Sequence, residues 1–188
     1  MTQVALVPVT ADQRHVFIEQ IQAAFQTGYE QVYGPADRPI LPRDDVEKSF
    51  SAPGADGWFA VGEDGSVVGG AIVVVQDPGD RGNLDLLYTV VGRQGKRAGR
   101  GIWQAIERQY PQVLVWETHT PYFEKRNIHF YVNKLGFQIV EYYHAGHPDP
   151  HRDPEHPGAA EQDFFRFEKR IVNDGPTTEQ RRSADSAK

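Results

Sequence analysis

The run of residues 67–76 constrains the fold more than any other part of the sequence. It is almost wholly apolar, with valine, isoleucine and alanine in succession and no regular polar alternation. A continuous apolar strand of this kind belongs at the centre of a sheet and is covered on both faces. The chain is therefore expected to form a layered sheet with helices packed against it.

Hydrophobic periodicity and turn residues place the other elements around this strand. The predicted strands are 4–9, 58–61, 67–76, 84–91, 113–118, 137–143 and 164–172. The predicted helices are 11–28, which ends at Gly28, a short segment that begins at Asp44, a segment that carries Ile102 and Tyr110, and 123–134. This order predicts an α/β fold with a mixed, mostly antiparallel central sheet of about seven strands flanked by helices.

Length and composition limit the classes of function. The 188 residues, 39% of them hydrophobic, suit a single domain at 1–172, and the polar stretch 173–188 is expected to be a flexible tail. The absence of cysteine excludes a disulfide framework, a thiolate metal site and a thiol nucleophile. No apolar run approaches the ~18 residues needed to cross a bilayer and no signal peptide pattern is present, so we expect a cytoplasmic protein with no membrane partner. The net charge of −6 argues against a nucleic-acid partner and favours a cationic ligand.

Residues 92–101 form a basic, glycine-containing turn between a predicted strand and a predicted helix. Its cations are Arg93, Lys96, Arg97 and Arg100. Such a turn can bind phosphate through backbone N–H groups, the helix dipole and side-chain charge together. It has neither the Gly-Lys-Ser/Thr of a Walker loop nor the Gly-x-Gly-x-x-Gly of a dinucleotide fold. A solvated basic loop is the alternative interpretation.

A second pattern lies in the predicted helix 123–134. Asn127 and Tyr131 are four residues apart and therefore project from the same side of a helix. The sequence Lys134-Leu-Gly136-Phe137 follows at the end of the helix. Together with the basic turn, these residues resemble the GCN5-related N-acetyltransferase (GNAT) family.

The resemblance implies an acyl-CoA N-acyltransferase-like fold and acetyl-CoA as the co-substrate. In the family, a Gln/Arg-x-x-Gly-x-Gly/Ala turn grips the pyrophosphate of acetyl-CoA. Two registers compete here, 94–99, which we prefer, and 96–101. The preferred register places Arg97 where the family has glycine, so a positive φ at this position would strain the backbone. The residues implied to hold acetyl-CoA are Val90, Val91, Gln94, Gly95, Lys96, Arg97, Ala98, Gly99 and Asn127.

The resemblance also implies that Tyr131 is the catalytic acid that protonates the departing thiolate. A phenol, with a usual pKa of ~10, can donate to a thiolate of similar basicity. The alternative interpretation of Tyr131 is a core aromatic residue with no role in chemistry.

The catalytic base is predicted from the strand 113–118. Glu117 shares a face with Val113 and Val115, and a carboxylate on an apolar face retains a proton more readily than one in water. We therefore predict that Glu117 is the base, and a surface ion pair is its alternative interpretation. Asp85, His119 and a water chain are the rival bases.

The favoured function is direct transfer of an acetyl group from acetyl-CoA to a primary amine. The acceptor is predicted to be a small molecule that enters past Phe25, Tyr29 and Tyr33. A non-catalytic acyl-CoA-binding or sensing module of the same fold is the alternative. The loop 144–162 contains His144, His147, His151 and His156, but their spacing matches no ligand motif, so no metal is predicted. A homodimer is compatible with the sequence, which does not set the oligomeric state.

Overall fold

The computed structural model describes residues 4–93, 97–150 and 163–171. Its strands are β1 Ala5–Pro8, β2 Ala55–Val61, β3 Val67–Gln76, β4 Arg81–Thr89, β5 Val115–Pro121, β6 Gln138–Tyr143 and β7 Phe164–Arg170. Its helices are α1 Arg14–Tyr33, which follows a 3₁₀ turn at Ala11–Gln13, α2 Arg43–Ser51, α3 Ala98–Gln109 and α4 Lys125–His129, which continues as a π-helix over Phe130–Leu135. In the part of the chain that the structure describes, no helix combines the length and apolarity needed to cross a membrane.

The strands form one seven-stranded sheet in the order β1-β2-β3-β4-β5-β7-β6. Only β4 and β5 are parallel, and every other neighbouring pair is antiparallel. The strand β3 lies inside the sheet between β2 and β4, and Ile72 and Val73 on its two faces are fully buried. The predicted mixed, mostly antiparallel sheet with helical layers is thereby confirmed.

Two hydrophobic clusters, one on each face, join the helices to the sheet. The helices α1 and α2 cover one face through Phe17, Ile21 and Val46. The helix α3 and the π-helix cover the other face, where Trp103 and Ile106 are fully buried. Burying each of these side chains contributes about 1.5–3 kcal/mol, so the two layers fix the sheet between them.

The helix α1 continues beyond the predicted end at Gly28 and stops at Gly34, which has a φ of 83°. The prediction was wrong because a β-carbon at Gly28 would meet no atom within 4 Å, which places this residue on the open side of the helix. Its only penalty is a poor helix propensity of about 1 kcal/mol. The longer helix therefore includes Tyr29 and Tyr33.

The strand β5 begins two residues later than predicted and extends to Pro121. Val113 instead lies in a turn, where its N–H donates to the Tyr110 carbonyl. The strand extends because β7 pairs with it as far as Pro121. Glu117 and His119 therefore both lie within the strand.

Three predicted features lie wholly or partly outside the described residues. They are positions 94–96 of the basic turn, most of the loop 144–162 and the tail 173–188. Within that loop, His144 and His147 form an isolated antiparallel bridge.

Candidate active site

The parallel strands β4 and β5 part after a short paired stretch, and the opening between them is the candidate site. Their register runs only from Arg81, opposite Val115, to Asn83, opposite Glu117. The Thr118 hydroxyl then donates to the Leu84 carbonyl at 2.8 Å. Beyond that bond the register of the described residues pairs no further position of β4 with β5.

A β-bulge accounts for the separation of the two strands. In the pairing of β3 with β4, Ile72 faces Leu86 and Val73 faces Leu84, so Asp85 is the extra residue. A bulge bends its strand and increases the local twist. It therefore directs the second half of β4 away from β5, and Asp85 lies at the opening.

Tyr131 reaches this opening from the side of α3. Its ring packs between Phe137 and Phe167, with centroids 5.8 and 5.6 Å away, and the residue is 9% exposed. The Thr118 side chain lies beside its hydroxyl. Burial raises the pKa of Tyr131, and Thr118 opposes this shift. The phenol is therefore protonated at neutral pH and can act as a proton donor.

The π-helix sets the position of Tyr131. The Tyr131 carbonyl accepts from the N–H groups of both Gly136 and Phe137, the latter at 3.0 Å, and Gly136 adopts a φ of 81°. Asn127 lies four residues earlier, in α4, and is partly buried. Its side-chain amide makes no hydrogen bond to the residues that the structure describes, so both of its polar groups are available to a ligand.

The basic turn enters the site from β4. The Val90 N–H donates to the Val68 carbonyl at 3.0 Å, and Val91 is exposed. The Arg93 guanidinium lies 3.4 Å from the Asp64 carboxylate in the turn between β2 and β3. Hydrogen bonds from Ser66, with a smaller contribution from Arg93, lower the pKa of Asp64 to about 2. Arg93 is thus anchored to the neighbouring turn.

Arg97 adopts a left-handed backbone, with φ 60° and ψ 13°, immediately before α3. A positive φ at this position is a source of backbone strain, as expected from the sequence. Two residues later, a β-carbon on Gly99 would lie 2.9 Å from the Phe130 ring and 3.8 Å from a Thr89 methyl group. The first turn of α3 therefore fits closely between the end of β4 and the π-helix, and Gly99 permits this approach.

Glu117 lies on the opposite face of β5 from Thr118 and is surrounded by charged groups. It is ion-paired with Arg81, and Arg166 of β7 lies 3.6 Å away. The predicted apolar surroundings were wrong, because Arg166 and Glu168 of β7 and Arg81 of β4 share this face. The contacts of Glu117 agree with the alternative interpretation, in which this residue forms ion pairs.

His119 is the next residue on this face, beyond the point where β4 and β5 part. Although His119 is an exposed residue, desolvation by the surrounding protein lowers the pKa of His119. Arg166 acts in the same direction. The carboxylates that oppose this shift are those of Asp149, Glu117 and Asp85.

Residues 18–137 match the Acetyltransferase (GNAT) family, and this span is more than half of the chain. The chain belongs to the GNAT acetyltransferase family. An uncharacterized protein of Bacillus subtilis (strain 168), YrkN, is 43% identical over 159 residues, which cover 81% of this chain and 85% of that protein.

Two solved GNAT structures share the fold at low sequence identity. A GNAT acetyltransferase from Elizabethkingia anophelis with acetyl-CoA bound superposes with a TM-score of 0.63 at 11% identity and covers 90% of this chain and 99% of its own. Spermidine N-acetyltransferase from Vibrio cholerae, in complex with CoA and spermine, gives 0.62 at 11% identity, with coverages of 89% and 95%. The family match and these folds confirm the predicted class, an acetyltransferase that uses acetyl-CoA as co-substrate.

The cleft of this GNAT chain suits an acyl-CoA. Its strands β4 and β5 are not paired with each other along the opening, α3 starts beside the end of β4, and the Asn127 amide has no partner among the described residues. At the rim, the Tyr33 hydroxyl donates to the Phe123 carbonyl at 2.7 Å, and the Tyr29 and Tyr33 rings lie 4.8 Å apart. Phe25 instead packs against the hydrophobic cluster that α1 and α2 form with the sheet.

Among the described residues, no group of three His, Asp or Glu side chains could hold a metal ion.

The structure brings Tyr131, Thr118, Asp85 and His119 to one opening. Sequence reasoning missed Thr118, because a threonine on a strand carries no local sign of its partners. The alternation of β7, in which Arg166, Glu168 and Arg170 share one face, is the signal that would have suggested charged neighbours for Glu117. The roles of the individual site residues stay predictions.

Proposed function

We propose that this protein transfers an acetyl group from acetyl-CoA directly to the primary amine of a small molecule. The observation that carries the proposal is the separation of β4 and β5, beside which a buried phenol lies on one face of the sheet and a carboxylate and an imidazole lie on the other. An acid and a base on opposite sides of one opening suit a reaction in which two substrates meet there.

The basic turn and α4 are proposed to hold the co-substrate. The backbone of Val90 and Val91 and the turn 94–99 would contact it, the turn close to the positive end of the α3 dipole, where a pyrophosphate is favoured. Arg97 and Lys96 add positive charge. The Asn127 amide would hydrogen-bond the pantetheine arm, because it has donors and an acceptor and no partner in the described chain.

Acetyl-CoA supplies an acetyl group activated as a thioester. The bond that forms joins the acceptor nitrogen to the acetyl carbon, and the bond that breaks is the carbon–sulfur bond. Tyr131 donates its hydroxyl proton to the departing sulfur. A side chain on the face of β5 that carries Glu117 and His119 removes a proton from the amine. Backbone N–H groups of β4 beyond the bulge at Asp85 are proposed to hold the carbonyl oxygen.

The surroundings of the cleft favour a cationic acceptor. Asp85 lies at the opening, and the Glu124 carboxylate acts electrostatically on Tyr131. Burial raises the pKa of Glu124. The Tyr33 and Phe123 rings pack edge to face with centroids 6.0 Å apart, and aromatic faces attract ammonium groups. The spermine bound to the Vibrio cholerae enzyme is an amine of this chemical class.

Calorimetric titration with acetyl-CoA and CoA, followed by thiol release across a panel of amines, tests the proposal. We expect micromolar binding that Asn127→Ala weakens about tenfold, which corresponds to roughly 1.4 kcal/mol. Asn133→Ala, on the same helical segment, is the matched control, because Asn133 already bonds His129 at 3.0 Å. Absence of binding would contradict the proposal.

Binding without transfer to any amine would instead favour a non-catalytic acyl-CoA sensor. The strained Arg97 backbone supports this alternative, because the family has glycine at this position of the turn.

A further inference from the structure

The inference concerns the proton that leaves the acceptor amine, and it rests on the proposed function. We propose that His119 is the catalytic base that takes this proton, and that Glu117 is held in ion pairs behind it.

The position of His119 along β5 is the first argument. Glu117 lies opposite Asn83, at the last paired position of β4 and β5. Thr118, the next residue, donates to the Leu84 carbonyl and projects to the α3 side, where Tyr131 lies. His119 is the first residue past this junction whose side chain projects to the other face. The base and the Tyr131 acid therefore flank the opening from opposite faces of the sheet.

The existing contacts of the two candidate bases differ. The Glu117 carboxylate is shared between Arg81 and Arg166, and both guanidinium groups also approach Glu168. A carboxylate that accepts from two guanidinium groups has its lone pairs engaged. The His119 ring forms no hydrogen bond or ion pair with the residues at 4–93, 97–150 and 163–171. One of its nitrogens is thus free to accept a proton.

Asp85, the bulge residue, lies within electrostatic range of both the proposed base and the proposed acid. Its carboxylate acts on His119 and on Tyr131. The charged groups that face His119 are Glu117 on its own strand, Asp85 on β4, Arg166 on β7 and Asp149 after β6.

The charge balance at His119 suits a base at neutral pH. Desolvation lowers the pKa of His119 although three carboxylates oppose the shift, so the imidazole is neutral above the usual histidine value of about 6.5. The same carboxylates favour an ammonium group beside the ring.

The protons balance as follows in the proposed step. An ammonium acceptor loses two protons when it becomes an amide. His119 takes the first and passes it to solvent, which leaves the nitrogen lone pair free to form the nitrogen–carbon bond. The second leaves the nitrogen for solvent as the carbon–sulfur bond breaks and Tyr131 gives its hydroxyl proton to the sulfur. Tyr131 then regains a proton from solvent, which restores the phenol for the next turnover. One proton thus ends on CoA and one in solvent.

The test is the pH dependence of kcat at saturating acetyl-CoA and amine, which reports groups in the bound complex. For the wild type, we expect a rising limb with its midpoint below about 6.5, because activity needs the neutral imidazole. In His119→Asn, kcat at pH 7 should fall by about 10²–10⁴-fold. The limb should move towards the pKa of the amine, ~10, where the acceptor needs no base.

Two variants serve as controls. Glu117→Gln should lower kcat but retain an acidic limb, since His119 remains, and the limb should move to lower pH because Glu117 no longer opposes the lowered pKa of His119. His15→Asn, at an exposed histidine on α1, should leave the profile unchanged. A wild-type profile in His119→Asn, or loss of the acidic limb in Glu117→Gln, would overturn the assignment.

Calorimetry with acetyl-CoA separates this inference from the proposed function. The His119→Asn protein should bind acetyl-CoA with the affinity of the wild type and recover activity at alkaline pH. If the wild type neither binds acetyl-CoA nor acetylates an amine, both proposals fail. If the wild type is active and His119→Asn matches it at every pH, only the role of His119 fails.

Discussion

Arg97 combines backbone strain with positive charge at the start of α3. A left-handed conformation costs a non-glycine residue about 1–2 kcal/mol, and glycine avoids this cost but loses more entropy on folding. We predict that Arg97→Gly raises the free energy of unfolding by up to about 1 kcal/mol. The affinity for CoA should fall, because a cation beside the proposed pyrophosphate site is lost. Urea unfolding and calorimetry measure the two effects.

Arg97→Ala separates charge from strain at the same position. Alanine removes the guanidinium but retains a β-carbon, so CoA affinity should fall as in the glycine variant while stability gains nothing. Equal stabilities of the two variants would mean that the backbone at residue 97 relaxes without cost. Unchanged CoA affinity in both would place the phosphates elsewhere.

Tyr131 is predicted to contribute its hydroxyl to chemistry more than to folding. Tyr131→Phe preserves the ring contacts with Phe137 and Phe167 and removes one hydrogen bond, a loss of about 1 kcal/mol. We expect kcat to fall by about 10²–10⁴-fold while acetyl-CoA binding changes little. Steady-state kinetics with calorimetry measure this difference.

Tyr110→Phe is the matched control for Tyr131. Tyr110 is also buried and donates to Asp56 at 2.6 Å, but it lies at the opposite end of α3 from the basic turn. Its variant should lose stability and keep kcat. If Tyr131→Phe turned over at the wild-type rate, Tyr131 would be a core aromatic and not the acid.

At the scale of elements, two glycines should respond in opposite ways to alanine. A β-carbon at Gly28 meets open space on α1, so Gly28→Ala should stabilise by about 0.5–1 kcal/mol through helix propensity. A β-carbon at Gly82 would lie 2.6 Å from the Trp116 ring, which packs against Trp103 with centroids 5.3 Å apart. Gly82→Ala should therefore destabilise by about 1–3 kcal/mol. Urea unfolding of both variants measures the contrast, and a stable Gly82→Ala would mean that β4 and β5 can shift.

An element can be predicted from the sequence when the residues that determine it lie close together in the chain. The strand β3 has its predicted bounds, because its own apolar run determines its burial. Glu117 was placed on an apolar face, because its partner Arg81 lies 36 residues away and no local pattern indicates it. The bulge at Asp85 and the π-helix at Tyr131 arise from pairing and packing, which periodicity does not reveal. Asn127 and Tyr131 were found only because a family pattern joins them.

At the scale of the whole molecule, the proposed reaction is divided between the two sides of the sheet. The start of α3 and Tyr131 lie on the side that is proposed to receive acetyl-CoA, with the positive end of a helix dipole. The end of α1 and His119 lie on the side that is proposed to receive the amine, where Asp85 and Asp149 supply negative charge. The net charge of −6 adds a weak general attraction for cations. In this arrangement the two substrates meet where β4 and β5 part.

This arrangement predicts a ternary complex instead of an acetylated enzyme. Both substrates can occupy their sides together, and the chain has no cysteine to accept the acetyl group. Initial rates measured against both substrates should therefore give intersecting and not parallel double-reciprocal lines, because parallel lines indicate a ping-pong mechanism. Mass spectrometry after incubation with acetyl-CoA alone should find no acetyl group on Tyr131 or His119. A rapidly formed acetyl-enzyme that the amine discharges would contradict direct transfer, and its position would identify the nucleophile.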